Sequence, residues 1–189
     1  MAKINRTKYA TLGLLSFQPL SGYDIRKNIE KSINYFWSEN YSQIYPTLKT
    51  LAKDGLATVS VTESEGKPDR KVYSITPEGL AELRRWLQVP PEPEVRRFEL
   101  LLKLFFGHQI DSEIIEDYVA DYQEQHRTML NELEEIERLL LTIEDRSLDQ
   151  TYQLMTVRYG ITVAKALIDW CNQSLETFED MHNNNLKKE

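Results

Sequence analysis

Apolar side chains in the first 56 residues recur at the three- and four-residue spacing that is typical of amphipathic helices. The three stripes consist of Tyr9, Leu12, Leu14 and Leu15, then Ile25, Ile29 and Ile33, then Ile44, Leu48 and Leu51. Pro19 ends the first helix, because proline cannot continue one. Ser21 and Asp24 have the spacing of a capping box for the second helix, and Ser42 is placed to cap the third. Gly55 can supply the left-handed residue after the third helix, so the pattern predicts three consecutive helices.

The apolar pattern changes from a helical to an alternating period after Gly55. Two alternating runs predict an outgoing and a returning strand, with Ala57, Val59 and Val61 in the first and Lys71, Tyr73 and Ile75 in the second. The alternation alone leaves open which face of the returning strand is buried. Gly66 and Pro68 mark a turn between the runs, and Thr76 followed by Pro77 is typical of a helix start. This order of elements predicts a winged helix-turn-helix, whose third helix enters the major groove of DNA.

Three prolines (Pro90, Pro91 and Pro93) mark a junction, after which every apolar pattern is helical. We predict a short helix over 98–106, a long one over 112–144 and a last one over 148–178. A heptad repeat in the long helix puts Val119, His126, Leu133 and Leu140 at a, and Ile115, Tyr122, Met129, Ile136 and Ile143 at d. The chain is therefore predicted to be mainly α, with α+β character in the wing. A winged helix-turn-helix domain covers 1–89, a helical dimerisation domain 94–180, and a disordered tail 181–189.

Charge is distributed unevenly between the two halves of this sequence. The net charge of the chain is −7, which by itself argues against a nucleic-acid partner. However, residues 1–76 hold eleven basic and seven acidic residues, a net +4, whereas residues 77–189 hold twelve basic and 23 acidic residues, a net −11. This asymmetry favours contact between the first half and a polyanion.

Signals for catalysis, metal binding and membrane insertion are missing from the sequence. The three histidines and Cys171 lack zinc-ligand spacing, and Cys171 lies in an apolar helical stretch typical of a core residue. No Ser/His/Asp order or Gly-rich phosphate loop occurs, so we expect no enzyme activity, no cofactor and no metal. Without a long apolar run or a signal peptide, we expect a cytoplasmic protein with no membrane partner.

The third predicted helix presents a polar face opposite its apolar stripe. That face carries Gln43, Pro46, Lys49 and Thr50, with Tyr45 at its edge. Glutamine can pair bidentately with adenine, and the ring of Pro46 can contact a thymine methyl group. Lys49 suits a phosphate, and Lys67, Arg70 and Lys71 on the wing can reach the DNA backbone or the minor groove.

Two segments resemble the PadR family of transcriptional regulators. They are the third helix, Ser42 to Leu51 followed by Asp54-Gly55-Leu56, and the wing, 66–73, leading into Ile75-Thr76-Pro77-Glu78-Gly79. The run 96–106 is similar to the branch with a long C-terminal region, of the AphA type. The likeness is close over about the first 107 residues. Many relatives have Gly-Thr at the position of Ser42-Gln43, so the base sequence that they recognise does not carry over to this chain. The candidate DNA-binding set is Ser42, Gln43, Tyr45, Pro46, Lys49, Lys67, Arg70 and Lys71.

The resemblance implies a sequence-specific transcription regulator, with a repressor that binds double-stranded DNA as the expected type. Some members of the family release DNA when they bind small aromatic molecules. Trp37, Trp86, Tyr159 and Trp170 are the candidate walls of such an effector site, although aromatic residues at helical spacing usually pack in cores. The alternative function is a winged helix that contacts proteins and not DNA. An uncharged or acidic third-helix face would indicate that alternative.

The apolar stripes of the C-terminal half exceed what one short helical bundle can hide, which predicts a homodimer. A parallel zipper is disfavoured, because Glu132 and Glu137 place like charges at a g position and the following e position. We expect instead an antiparallel or exchanged bundle between two subunits. A symmetric dimer of this kind would bind an inverted-repeat operator.

Overall fold

The computed structural model describes residues 5–37, 41–64, 67–93 and 97–186. The chain divides into two compact units, Met1–Pro93 and Glu94–Glu189. No helix in these described ranges is long and apolar enough to cross a membrane.

In its described residues the N-terminal unit contains four α-helices, which are α1 (Arg6–Leu15), α2 (Gly22–Ser32), α3 (Ile44–Lys53) and α4 (Pro77–Leu87). The capping box at the start of α2 is confirmed, because Ser21 and Asp24 bond each other's backbone N–H groups. Thr76 caps α4 by accepting a hydrogen bond from the Gly79 N–H at 3.0 Å. Gly55 has a φ of +72°, so it provides the left-handed residue after α3 that the sequence predicts.

The predicted cap of α3 is wrong. A 3₁₀ turn over Tyr41–Gln43 precedes the helix, and the N-cap is Gln43, which makes no side-chain capping bond. A capping side chain needs an extended backbone to fold back onto the first turn, whereas Gln43 has a helical φ and ψ of −86° and −14°. Ser42 therefore lies inside the 3₁₀ turn, one residue ahead of the cap.

An antiparallel sheet with the strand order β1–β3–β2 completes this unit, with β1 at Leu20–Ser21, β2 at Ala57–Ser64 and β3 at Lys67–Ile75. Tyr73 is buried whereas its neighbours Val72 and Ser74 are only partly buried, so the face of β3 that carries Tyr73 and Ile75 is the inner one. Lys71 lies on the same face nearer the turn of the ribbon, where it is exposed. Among the β2 side chains that the structure describes, 57–61, only Ala57 is buried, whereas Val59 and Val61 are about half exposed. Val59 pairs with the buried Tyr73, and Val61 pairs with the exposed Lys71 further along the ribbon.

The core of the N-terminal unit joins the three predicted stripes. Leu12, Ile25, Ile29, Ile44, Leu48 and Leu51 are each at most 1% exposed and lie in one cluster, which Tyr73 and Leu83 also join. Burial of each such side chain away from water stabilises the folded state by roughly 1.5–3 kcal/mol. This burial fixes the orientation of α3, because its inward stripe cannot turn outward without exposing the core.

The C-terminal unit consists of α5 (Glu99–Phe105), a 3₁₀ turn over Gly107–Gln109, α6 (Ser112–Leu141) and α7 (Leu148–Leu186). Helices α6 and α7 pack antiparallel along their length. Side-chain hydrogen bonds join the two helices along their length. They connect Ser112 with His182 (3.1 Å), Gln123 with Asn172 (2.7 Å) and Glu137 with Arg158 (2.7 Å).

The buried face of α6 follows the predicted heptad at Ile115, Val119, His126 and Leu133. The His126 Nδ1 lies 2.7 Å from the Tyr122 carbonyl oxygen, as expected of a core histidine with a hydrogen-bond partner. Cys171 is fully buried, and that burial raises the pKa of its thiol.

The predicted disordered tail over 181–189 starts too early, because α7 continues to Leu186. His182 bonds Ser112 and lies 3.7 Å from a carboxylate oxygen of Glu116, so the end of α7 is tied to the first turns of α6. These contacts hold the last turns of α7 against α6, in a region where the polar run of asparagines at 183–185 does not predict a helix. Residues 187–189 lie outside the described part of the chain.

Candidate nucleic-acid interface

Helix α3 has a buried face and, opposite it, an exposed face. Ile44, Thr47, Leu48 and Leu51 point into the core. Gln43, Tyr45, Pro46, Lys49 and Thr50 are exposed. Pro46 is the third residue of the helix, where the missing N–H would have had no intrahelical partner. The structure thus brings Gln43, Pro46 and Lys49 together on one accessible face at the N-terminal end of α3.

Tyr45 connects α3 to the start of α2. Its ring lies so close to Gly22 that a methyl group at position 22 would be 2.6 Å from the ring carbon Cε1. A distance that short is a clash, so only glycine fits there without moving the tyrosine. The rest of the ring stays accessible, because Tyr45 is 57% exposed. The N-termini of α2 and α3 therefore meet at this tyrosine.

The Arg70 side chain of the wing makes an ion pair within the same unit. Its Nη2 lies 2.6 Å from Oδ2 of Asp24, the capping-box residue of α2. Hydrogen bonds from Ser21 are the main cause that lowers the pKa of Asp24, and the bond from Arg70 lowers it further. The Arg70 side chain as a whole is 59% exposed, so it contacts both Asp24 and solvent. Sequence reasoning did not find this pair, because 46 positions separate its members.

Lys71 and Lys67, the other candidate DNA-binding residues of the wing, are placed differently from Arg70. Lys71 follows Arg70 directly on β3, so its side chain points to the opposite face of the ribbon. It is exposed and pairs in register with Val61. Lys67 begins β3, but its side chain lies outside the described part of the structure, as do Glu65 and Gly66.

The aromatic residues proposed as effector walls are divided between the two units. Trp86 stacks on Tyr9 with ring centroids 4.5 Å apart, and Trp37 follows the end of α2 and is half-buried. In the C-terminal unit, Tyr159 is exposed on α7 and Trp170 packs edge-on against Tyr122. Tyr159 and Trp170 are eleven residues apart on one helix, which is about 16 Å along its axis. The effector role of these four residues remains a prediction.

A cavity of about 600 Å³ in the C-terminal unit was not found by sequence reasoning. Its apolar lining consists of Leu104, Ile110, Ile115, Phe178 and Met181. Its polar lining consists of His108, Asp111, Ser112, Ser174 and Thr177, and Gly107 completes the wall. None of the four predicted effector residues lines it. No sequence signal indicated it, because the gap forms between two stretches that are far apart in the chain, 104–115 and 174–181.

Two family models match the chain. One, described as the PadR-like family of transcriptional regulators, covers residues 11–85, and the other, the C-terminal region of virulence activator alpha, covers residues 96–179. The first spans most of the N-terminal unit, and the second begins after the proline junction.

Relatives with known roles agree with these matches. The negative transcriptional regulator PadR of Bacillus subtilis is 36% identical over 142 residues, which is 74% of this chain and 78% of the relative. The crystal structure of that species' PadR in complex with operator DNA has a TM-score of 0.78 at 30% identity, over 93% of this chain and 99% of the other. Its structure in complex with p-coumaric acid has a TM-score of 0.69 at 29% identity, over 91% and 98%.

A third similar structure is the virulence activator AphA of Vibrio cholerae. It has a TM-score of 0.72 at 28% identity, over 93% of this chain and 99% of the other. Both family models and these relatives describe transcription regulators and not enzymes. The chain therefore belongs to the PadR family of winged-helix transcriptional regulators, in the branch with a long C-terminal helical region.

Proposed function

We propose that this regulator is a cytoplasmic repressor that binds an inverted-repeat operator as a homodimer and releases it when a small aromatic effector binds. The N-terminal end of α3 reads the bases, and the wing contacts the DNA backbone.

The observation that carries this proposal is the arrangement of α3. Its buried stripe fixes the orientation of the helix, and the opposite face offers Gln43 and Pro46 near the N-terminus, the end that reaches base edges in helix-turn-helix docking. Gln43 supplies a donor and an acceptor for adenine, and Lys49 supplies a charge for phosphate. A module that only contacts proteins would not need this pairing of an amide with a lysine.

A binding competition between an operator and a scrambled duplex tests the assignment. Gln43→Ala should cost about 1–3 kcal/mol on the operator and almost nothing on the scrambled duplex. Lys49→Ala should weaken both duplexes alike, because a phosphate contact carries no base information. Gln88→Ala, an exposed glutamine at the end of α4, is the matched control. Equal weakening of both duplexes by Gln43→Ala would show that Gln43 does not read bases.

The dimer is supported by apolar side chains on the outer surface of the C-terminal unit. Leu148, Tyr152, Met155 and Tyr159 form a stripe along α7, each more than half exposed. A continuous apolar stripe of this kind is typical of a protein interface. Met155→Glu should shift the protein toward monomer in size-exclusion chromatography with light scattering, whereas Thr156→Glu on the neighbouring face should not. A wild-type chain that is monomeric at micromolar concentration would contradict the proposal.

The repressor role and the aromatic effector are proposed by analogy with relatives. The Bacillus subtilis relative is a negative regulator, and a structure of PadR from that species contains p-coumaric acid. A fluorescence anisotropy titration of the protein–operator complex with phenols and aromatic acids tests the effector step. If no compound of either class lowers the DNA affinity, this step is wrong.

A further inference from the structure

The first turn of α2 lies between two parts of the predicted DNA interface. The Tyr45 ring of α3 packs against Gly22. The Arg70 guanidinium of the wing reaches Asp24. Tyr23 is the residue between these two contact points, and it is 63% exposed. Because successive side chains of an α-helix are rotated by about 100°, the Tyr23 side chain projects outward between Tyr45 on one flank and Arg70 on the other.

Lys27 continues the outer face of α2 one turn further on. It is exposed, and it lies four residues after Tyr23, so the two side chains are neighbours on the helix surface. The adjacent Arg26 is held by Glu30 at 2.8 Å. No carboxylate of the described residues pairs with Lys27. The ammonium group of Lys27 is therefore available to an external anion.

The Tyr23 hydroxyl is available in the same way, because it has no hydrogen-bond partner within the described ranges of the chain. A tyrosine that served only the fold would bury its ring, whereas this ring is mostly accessible. Tyrosine combines an apolar ring with a polar hydroxyl, a combination that is enriched at interfaces. The hydroxyl is neutral and can donate a hydrogen bond to a phosphate oxygen.

The distance between the two flanks of α2 suits the path of a DNA strand. The flanks are separated by roughly 10–12 Å, the diameter of a helix with its side chains. A strand rises about 3.4 Å per nucleotide along the DNA axis, so about three nucleotides span this distance. If α3 reads bases and Arg70 contacts the backbone of the same duplex, the strand that connects them passes the outer face of α2.

We propose that α2 forms a third contact with DNA, in which the Tyr23 hydroxyl and the Lys27 ammonium group bind backbone phosphates between α3 and the wing. This inference rests on the proposed function, since it requires that α3 and Arg70 face one duplex. Neither contact carries base information, because phosphates are alike in every sequence. Tyr23 and Lys27 therefore raise the affinity for the operator and for other duplexes alike.

Salt titrations of the full chain, followed by fluorescence anisotropy on the operator and on a scrambled duplex, distinguish the two contacts. Tyr23→Phe should weaken binding to both duplexes about 2- to 10-fold, the effect of one net hydrogen bond. It should leave the log–log salt slope unchanged, because a neutral hydroxyl releases no counterions. Lys27→Gln should instead reduce the slope by about 0.9, the effect of one neutralised phosphate.

Two matched variants control for general effects. Tyr118→Phe removes a hydroxyl from an exposed tyrosine of the C-terminal unit and should bind DNA like wild type. Lys53→Gln makes the same change of charge at the C-terminal end of α3, about 15 Å along the helix axis from Gln43, and should keep the wild-type slope. Tyr23→Phe should also keep the wild-type melting temperature, because its hydroxyl bonds nothing in the described fold.

Two results would overturn the inference. The first is that Tyr23→Phe binds both duplexes as tightly as Tyr118→Phe does, with equal slopes for Lys27→Gln and Lys53→Gln. The second is a loss of affinity in Tyr23→Phe that is confined to the operator, since Tyr23 would then read a base.

The proposed function is judged separately in the same assay by Gln43→Ala and Lys49→Ala. If those two variants behave as predicted while the α2 variants match their controls, only the third contact is wrong. If the wild-type chain binds neither duplex, the proposed function itself fails.

Discussion

Replacing Asp24 by asparagine should increase the affinity of this regulator for DNA. Asp24 holds Arg70 at 2.6 Å, so part of the wing's positive charge is neutralised before DNA arrives. Asparagine keeps a side-chain oxygen that can accept the hydrogen bond from the Ser21 N–H, which Asp24 accepts at 3.0 Å. The substitution therefore removes the negative charge and preserves an acceptor for the cap of α2.

The size of the effect follows from the distance between Asp24 and a bound phosphate. With a phosphate on the outer side of the guanidinium, the two anions would lie roughly 6 Å apart and repel by about 0.7 kcal/mol in water. Screening over a Debye length of about 8 Å reduces this to about 0.3 kcal/mol. An effective dielectric constant of about 20, typical of a protein surface, gives about 1.3 kcal/mol after the same screening. Asp24→Asn should thus bind any duplex about 2- to 9-fold more tightly.

Fluorescence anisotropy with labelled random duplex, at several salt concentrations, measures this gain. The matched control is Glu30→Gln, which also replaces an acid by its amide on α2, where Glu30 pairs with Arg26 at 2.8 Å. The two variants have the same net charge. A gain specific to Asp24→Asn therefore reports the local contact of Arg70 and not the total charge of the protein.

Two results would refute this reasoning. Equal gains in Asp24→Asn and Glu30→Gln would mean that only the net charge matters. Weaker binding of Asp24→Asn, with an unchanged melting temperature, would mean that Asp24 orients Arg70 toward the phosphate and does not compete with it.

Three further predictions concern the wing, the N-terminal unit and its acid stability. Arg70→Ala should weaken binding to all duplexes about alike and reduce the log–log salt slope by about 0.9, and an unchanged slope would show that Arg70 contacts no phosphate. A chain ending at Pro93 should stay folded by circular dichroism but bind the operator about 100-fold or more weakly, because one half-site contact replaces two. Lys8 donates a hydrogen bond of 2.7 Å to Glu82, and this bond is the main cause that lowers the pKa of Glu82 in the folded protein. The ionised carboxylate therefore stabilises the fold above its ordinary pKa of 4.5. This stabilisation is lost as the pH falls through the lower pKa of the folded state. Glu82→Gln should therefore cost about 1 kcal/mol in urea unfolding at pH 7 and much less at pH 3, and an equal cost at both values would exclude a role for its charge.

Local signals predicted the elements that depend on neighbouring residues. The capping box at Ser21 and the left-handed Gly55 are set within a few positions of the chain, so their residue types are sufficient to find them. The stripe of α3 also depends only on helical spacing, and it correctly separated the buried Leu48 from the exposed Lys49.

Features that depend on distant parts of the chain were missed. The contact of Arg70 with Asp24 requires knowledge of how the wing passes α2, and no residue near either one indicates it. Ser42 has the residue type of a cap, but the 3₁₀ turn displaces it from the capping position. The cavity is a gap among four segments, and a sequence pattern describes what packs rather than what is left empty.

The contact of Tyr45 with Gly22 has a consequence for engineering. Exchanging recognition helices between relatives is a direct way to alter which operator a regulator binds. Here the graft would include a tyrosine whose ring leaves no room for a methyl group at position 22 of another helix unless the ring moves. A donor helix that brings a smaller residue at position 45 would lose this contact, and a host with alanine at position 22 would push the tyrosine ring aside. Positions 22 and 45 should therefore be transplanted together, and Gly22→Ala should be better tolerated alongside Tyr45→Ala than alone.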